Sequence, residues 1–123
     1  MIAPTHSNVA LAGLLNGHSV LVTGPGQGNV VNIGSISASR ACAGGMSYST
    51  IKVAAEMLNK VMALELAVKG IRVNAVAPGV METPMTRASR NNPARRDYLM
   101  QRIPIKRFVR PDEFVGPVSF LAL

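Results

Sequence analysis

The order strand, long helix, strand constrains the fold of this chain more than any other feature of its sequence. Residues 30–33 are a β-branched run that predicts a buried parallel strand, because it is apolar on both faces apart from Asn32. A long helical pattern follows and stops at Gly70, and residues 71–77 then predict a second strand. Two strands joined by a crossover helix make one βαβ unit, so we expect an α/β fold with a parallel sheet.

The helix between the strands combines an apolar stripe with a polar pair. Ser47 is its predicted cap, and the pattern runs to about Lys69. Tyr48 and Lys52 are four residues apart, so their phenol and ammonium groups share one helical face. Beside that face, apolar residues recur at spacings of three and four, which predicts a core or interface surface. This stripe consists of Ala54, Met57, Leu58, Val61, Leu64 and Val68.

The segment from Asn29 to Thr86 resembles the catalytic half of the short-chain dehydrogenase/reductase family. Ser35 ends the first strand thirteen residues before Tyr48, and a glycine-bearing loop lies between them. Residues 102–123 look like the family's next segment. The resemblance implies a partial doubly wound parallel sheet of the Rossmann-like type. A chain of 123 residues is long enough for one small domain, but family members are roughly twice as long. We therefore expect a truncated copy that lacks the amino-terminal cofactor-binding half and the carboxyl-terminal tail.

Within this single partial domain, residues 29–83 are expected to form the catalytic βαβ unit. Residues 84–123 are expected to form a substrate loop with short helices. Asn92 followed by Pro93 predicts one helix start, and Pro111 followed by two acidic residues predicts another.

Residues 1–28 have two interpretations. Asn8 can begin the helix that precedes the serine-bearing strand in this family. Alternatively, residues 19–24 resemble the family's first strand, with Gly24 and Gly28 as a relic of the cofactor loop. A phosphate loop needs a helix behind it, and a strand follows here instead, so a connecting loop is favoured.

The resemblance assigns a role to each polar residue. Tyr48 is the general acid and base, Lys52 stabilises its phenolate and holds the cofactor ribose, Ser35 binds the substrate oxygen, and Asn8 connects a proton relay. A neutral phenol needs about 3 to 4 kcal/mol of preferential phenolate stabilisation to act as a base near pH 7, which a cation on the same helical face can supply. Besides Tyr48 and Lys52, the implied contacts to the NAD or NADP cofactor are Pro78, Gly79, Val80 and Thr83.

We therefore expect an oxidoreductase that interconverts a hydroxyl and a carbonyl group on a small-molecule alcohol or carbonyl substrate. The resemblance also implies a homo-oligomer that associates through the helix at residues 47–69. The alternative is a truncated, catalytically inactive relative that acts only through this helix-mediated association.

The charge and cysteine content limit other functions. The net charge is +7, and eight of the thirteen basic residues lie between Arg87 and Arg110, but no nucleic-acid-binding signature accompanies them. No apolar run is long enough for a membrane span, so we expect a cytoplasmic protein. Cys42 is the single cysteine, and His6 and His18 are isolated, so neither a disulfide nor a metal site is expected.

Overall fold

Three strands and four helices make up the described part of the chain, residues 20–23 and 28–122 of a computed structural model. The strands form one sheet in the order β1 (Val20–Thr23), β2 (Asn29–Ile33) and β3 (Arg72–Val76). The helices are α1 (Met46–Ala67), α2 (Arg87–Asn91), α3 (Pro93–Arg102) and α4 (Val115–Ala122). Short 3₁₀ turns lie at Ile36–Ala38, Pro84–Thr86 and Pro111–Phe114.

The predicted βαβ unit is present. Strands β2 and β3 pair in parallel, with Val30 opposite Val73, and α1 connects them. Strand β1 runs antiparallel to β2, with Thr23 opposite Asn29. The α/β class is therefore confirmed, and the parallel arrangement holds for β2 and β3 while β1 adds an antiparallel strand at their edge.

Helices cover both faces of the sheet. The Nδ2 atom of Asn32 donates to Asn59 Oδ1 on α1 at 2.8 Å, and the Nδ2 atom of Asn29 donates to the carbonyl of Leu121 on α4 at 2.6 Å. Residues three apart in a strand point to opposite faces. Helices α1 and α4 therefore lie on opposite sides of β2, as in a doubly wound fold.

Helix α1 differs from its prediction in two respects. It begins at Met46, with Gly45 at the cap position, so Ser47 lies inside the first turn and does not cap it. The apolar stripe is not core, because most of it is exposed on the side away from the sheet; Leu64 is 78% exposed. The sheet-facing side instead carries Lys52 and Asn59, both hydrogen-bonded to β2. The interface interpretation of the stripe stays a prediction.

The segment after β3 pairs with the segment that precedes α4. Met81 and Val109 form an isolated parallel bridge, and Phe108 beside it is buried. Asn92 accepts a hydrogen bond from the Arg95 amide at 3.0 Å, which confirms the predicted start of the helix at Pro93. None of the helices in the described ranges has the length and hydropathy that crossing a membrane requires.

The predictions for residues 1–28 fall mainly outside the described residues. Asn8 and residues 24–27 are not described, so neither the helix nor the glycine loop can be compared with the fold. Residues 20–23 do form a strand. Its antiparallel pairing with β2 is compatible with a connecting loop at residues 24–28, and that interpretation stays a prediction.

Candidate active site

The carboxyl ends of β2 and β3 meet at Gly34. Its amide donates to the carbonyl of Val76 at 2.7 Å, and a Cβ atom on Gly34 would lie 3.2 Å from that oxygen. Glycine makes this close approach of the two backbones easy, since a Cβ at that distance would be a tight contact. Ser35 follows directly and is buried, and its Oγ accepts a hydrogen bond from the Ser37 amide at 3.1 Å. The turn thereby fixes the Ser35 hydroxyl at the end of the sheet.

Lys52 reaches the same end of β2 from α1. Its side chain is 6% exposed, and its Nζ donates to the carbonyl of Ile33 at 3.0 Å. The Nζ atom lies 5.6 Å from the centroid of the Tyr48 ring. Burial lowers the pKa of Lys52, because desolvation penalises the ammonium form. The predicted sharing of one helical face by Tyr48 and Lys52 is therefore seen directly in the contact between their side chains.

Tyr48 lies in the first turn of α1, where the helix leaves the loop at residues 39–45. The residue is 40% exposed, so its ring is accessible to a bound molecule while Lys52 beneath it is not. The helix start is anchored by the carbonyl of Gly45, which accepts a hydrogen bond from the Ser49 amide at 2.7 Å. An accessible phenol beside a buried cation can exchange a proton with a substrate oxygen.

The turn after β3 contacts the 3₁₀ turn that follows Ser35. The carbonyl of Pro78 accepts a hydrogen bond from the Ile36 amide at 3.1 Å, which joins the turn to the one that holds Ser35. The carbonyl of Val80 accepts from the Val109 amide at 3.1 Å. Gly79 is exposed, and a Cβ there would meet only the Ile36 side chain at 3.7 Å.

Thr83 ends that turn and begins the 3₁₀ turn at Pro84–Thr86. Its amide donates to Thr86 Oγ1 at 3.2 Å, and its carbonyl accepts from the Arg90 guanidinium at 3.2 Å. Sequence reasoning did not identify Arg90 as a residue that holds this turn. The spacing of four residues between Thr86 and Arg90 was the available signal.

A cavity of about 390 Å³ lies between α1 and the sheet. Its polar lining residues include Ser35, Asn32, Glu56 and Asn59. Neither Tyr48 nor Lys52 is among its lining residues. The cavity therefore shares Ser35 with the candidate site, but Tyr48 and Lys52 do not line it.

The structure thus brings Ser35, Tyr48 and Lys52 to the carboxyl end of β2, and Pro78 is hydrogen-bonded to the turn that follows Ser35. The fourth predicted catalytic residue, Asn8, lies outside the described residues. Within residues 28–122, no three histidine, cysteine, aspartate or glutamate side chains are grouped closely enough to hold a metal ion.

Comparison with known proteins identifies relatives of this arrangement. The family model described as Enoyl-(Acyl carrier protein) reductase matches residues 7–123. Nodulation protein G of Azospirillum brasilense is 41% identical over 97 residues, covering 79% of this chain and 39% of that protein. The 4-formylbenzenesulfonate dehydrogenase of Comamonas testosteroni is 42% identical over 100 residues, covering 79% of this chain and 40% of that protein.

Solved structures give the same result. The crystal structure of a gluconate 5-dehydrogenase from Burkholderia cenocepacia, in complex with NADP and tartrate, superposes with a TM-score of 0.74 at 33% identity. The superposition covers 93% of this chain and 41% of the dehydrogenase chain. The chain thus spans about two fifths of the length of these relatives. From the family model, these relatives and the shared fold, we conclude that the chain belongs to the short-chain dehydrogenase/reductase family.

Proposed function

We propose that this chain carries the catalytic residues of an NAD- or NADP-dependent oxidoreductase that interconverts a hydroxyl and a carbonyl group on a small molecule. The observation that carries the proposal is the buried Lys52 ammonium 5.6 Å from the ring centroid of an accessible Tyr48 at the end of β2. The names of the related dehydrogenases, which specify 4-formylbenzenesulfonate and gluconate, support a small-molecule substrate.

The proposed proton step uses three side chains. In reduction, the Tyr48 hydroxyl gives its proton to the carbonyl oxygen, and in oxidation the phenolate takes the proton of the hydroxyl. Ser35 donates a hydrogen bond to the same oxygen and stabilises its developing charge. Lys52 would stabilise the phenolate by its positive charge, since its ammonium lies 5.6 Å from the centroid of the Tyr48 ring.

The donors at this end of the sheet fit the nicotinamide and ribose end of a dinucleotide. The Lys52 ammonium can donate to ribose hydroxyls, and the turn from Pro78 to Thr83 would contact the carboxamide. Hydride exchange with the substrate carbon is the chemistry that a nicotinamide supplies when bound. The described residues contain no strand, glycine-rich turn and helix in succession that could hold a pyrophosphate.

The test of this function is the turnover of reduced nicotinamide cofactors with a panel of aldehydes and ketones, followed by absorbance. Tyr48→Phe should lower kcat/KM by at least about 100-fold, because it removes only the proton donor. Tyr98→Phe is the matched control, since it removes the other tyrosine hydroxyl of the chain, on α3, and should leave the rate unchanged. A Tyr48→Phe variant that keeps more than about a tenth of the rate would exclude the general-acid role.

We further propose that the chain associates with a second copy through α1. Large apolar side chains on the outer face of α1 are exposed, among them Met57, Val61, Leu64 and Val68. An exposed apolar surface of this extent favours a protein partner. The same observation supports the alternative function, an inactive relative that acts only through association. Dimers that neither bind NADH or NADPH nor turn over a carbonyl would favour that alternative.

We place the protein in the cytoplasm, because a single cysteine suits a reducing compartment. Fractionation of cells that express the tagged chain tests this location.

A further inference from the structure

The chain around α3 carries a large excess of positive charge. Eight basic residues lie between Arg87 and Arg110, and Asp97 is the single acidic residue among them. Arg107 pairs with Glu113, and Arg110 pairs with Asp112. The other six have no carboxylate within ion-pair distance in residues 28–122. These six are Arg87, Arg90, Arg95, Arg96, Arg102 and Lys106.

Two of these unpaired guanidinium groups are held in place by an aromatic ring. The Arg95 and Arg102 guanidinium carbons lie 5.2 Å and 4.5 Å from the centroid of the Tyr98 ring. Spacings of three and four residues put all three side chains on one face of α3. Stacking orients a guanidinium without neutralising its charge, so its donors stay available to an anion.

Contacts connect Arg95 to the loop that leads into the candidate active site. Its Nη2 donates to the Cys42 Sγ at 3.8 Å, and the Cys42 carbonyl accepts a hydrogen bond from the Gly45 amide at 3.0 Å. Gly45 is the cap of α1, and Tyr48 lies three residues beyond it. Arg95 thus holds an exposed positive charge against the loop that leads into α1, six residues before Tyr48 in the chain.

The loop itself offers no competing carboxylate. Arg40 is the only charged residue between Ser35 and Tyr48, so this loop is also basic. A guanidinium has five N–H donors in a planar fork, and the Cys42 contact uses one of them. The remaining donors match the paired oxygens of a carboxylate, a sulfonate or a phosphate.

We propose that Arg95 is a specificity-determining residue that binds the anionic group of the substrate whose carbonyl or hydroxyl reacts at Tyr48. This inference rests on the proposed function and adds a substrate class to it: small carbonyl or hydroxyl compounds with an anionic group at the end away from the reacting carbon. In this proposal the anionic group belongs to the substrate. If substitution of Arg95 weakens only the binding of the cofactor, through its phosphates, the proposal is contradicted.

The experiment compares 4-formylbenzoate with its uncharged amide, 4-formylbenzamide, as substrates and as ligands of the purified protein. Arg95→Gln should lower the ratio of the two kcat/KM values about 10-fold or more, the effect of losing one charge-assisted hydrogen bond. Arg96→Gln is the matched control, because it removes the same charge from the next residue of α3, which contacts neither the Tyr98 ring nor Cys42. It should change the ratio less than about twofold, as expected for a screened surface charge.

A second variant separates charge from geometry. Arg95→Lys keeps the charge but loses the planar fork, so it should restore part of the preference for the anion. Equal effects of Arg95→Gln and Arg96→Gln, an unchanged ratio, or a weaker affinity for NADPH with an unchanged ratio would each overturn the proposal. Calorimetry measures ligand binding without turnover, so it tests the role of Arg95 separately from the catalytic role of Tyr48. A preference for the anion that depends on Arg95 supports this inference even where Tyr48→Phe contradicts the catalytic role.

Discussion

Replacing Leu64 with glutamine on the outer face of α1 should dissociate the proposed dimer. Leu64 is 78% exposed in the single chain, and it lies between Val61 and Val68 on the apolar face. Complete burial of a leucine side chain is worth about 1.5 to 3 kcal/mol, so covering the exposed fraction would contribute about 1.2 to 2.3 kcal/mol in each copy. A symmetric interface contains the residue twice, which gives about 2 to 5 kcal/mol in total. The dimer dissociation constant should therefore rise at least about 30-fold.

Sedimentation equilibrium over a range of protein concentrations measures this change. Met85→Gln is the control, because Met85 is also 78% exposed but lies in the 3₁₀ turn after β3 and not on α1. It should leave the dissociation constant within about twofold of the wild-type value, as expected for a surface substitution outside the interface. A monomeric wild-type chain, or equal changes for Leu64→Gln and Met85→Gln, would refute the assignment of the interface to α1.

Three further predictions concern stability and protonation. Gly34→Ala should destabilise the chain by about 1 to 3 kcal/mol in urea unfolding, because its Cβ would lie 3.2 Å from the Val76 carbonyl, and an unchanged midpoint would contradict this. The Arg107 guanidinium and the Arg110 amide lower the pKa of Glu113 to about 2, so its contribution to stability is present above about pH 4.5 and is lost as the pH falls through about 2. Glu113→Gln should therefore reduce the loss of stability between these pH values, measured by urea midpoints, and an equal loss in both proteins would count against the ion pair. Because burial lowers the pKa of Lys52, NMR titration should show it losing its proton at a lower pH than the exposed lysines.

The βαβ unit was predictable because its signals are local. The β-branched residues at 30–33 and 71–77 mark the strands, and Gly70 ends the helical pattern with a positive φ of 69°, a conformation that glycine adopts without strain. The pair formed by Tyr48 and Lys52 was predictable for the same reason, since four residues in a helix fix their relative position.

The features that were not predicted depend on distant parts of the chain. The apolar stripe of α1 was predicted to be core or interface, because apolar periodicity normally marks the buried face of a helix. The core interpretation was wrong. Here Lys52 and Asn59 face the sheet, and their polar groups are satisfied by Ile33 and Asn32. The side of α1 that faces the sheet is therefore marked by hydrogen-bonded polar side chains and not by the apolar stripe.

Contacts across long separations gave no local signal either. The bridge between Met81 and Val109 joins residues 28 positions apart, and it needs no motif in either segment. The contact of Arg95 with Cys42 joins residues 53 positions apart. The spacing of Arg95, Tyr98 and Arg102 on α3 was readable from the sequence, but the loop that they approach was not.

The hydrogen bond from Asn29 to Leu121 has a consequence for the folding of the chain during its synthesis on the ribosome. The two residues are 92 positions apart, and at about 5 to 20 residues per second the ribosome needs about 5 to 20 s to make the intervening chain. During that interval the α4 side of β2, which includes Val31, has not received the helix that covers it. The nascent chain therefore presents one side of its sheet to chaperones until translation reaches α4.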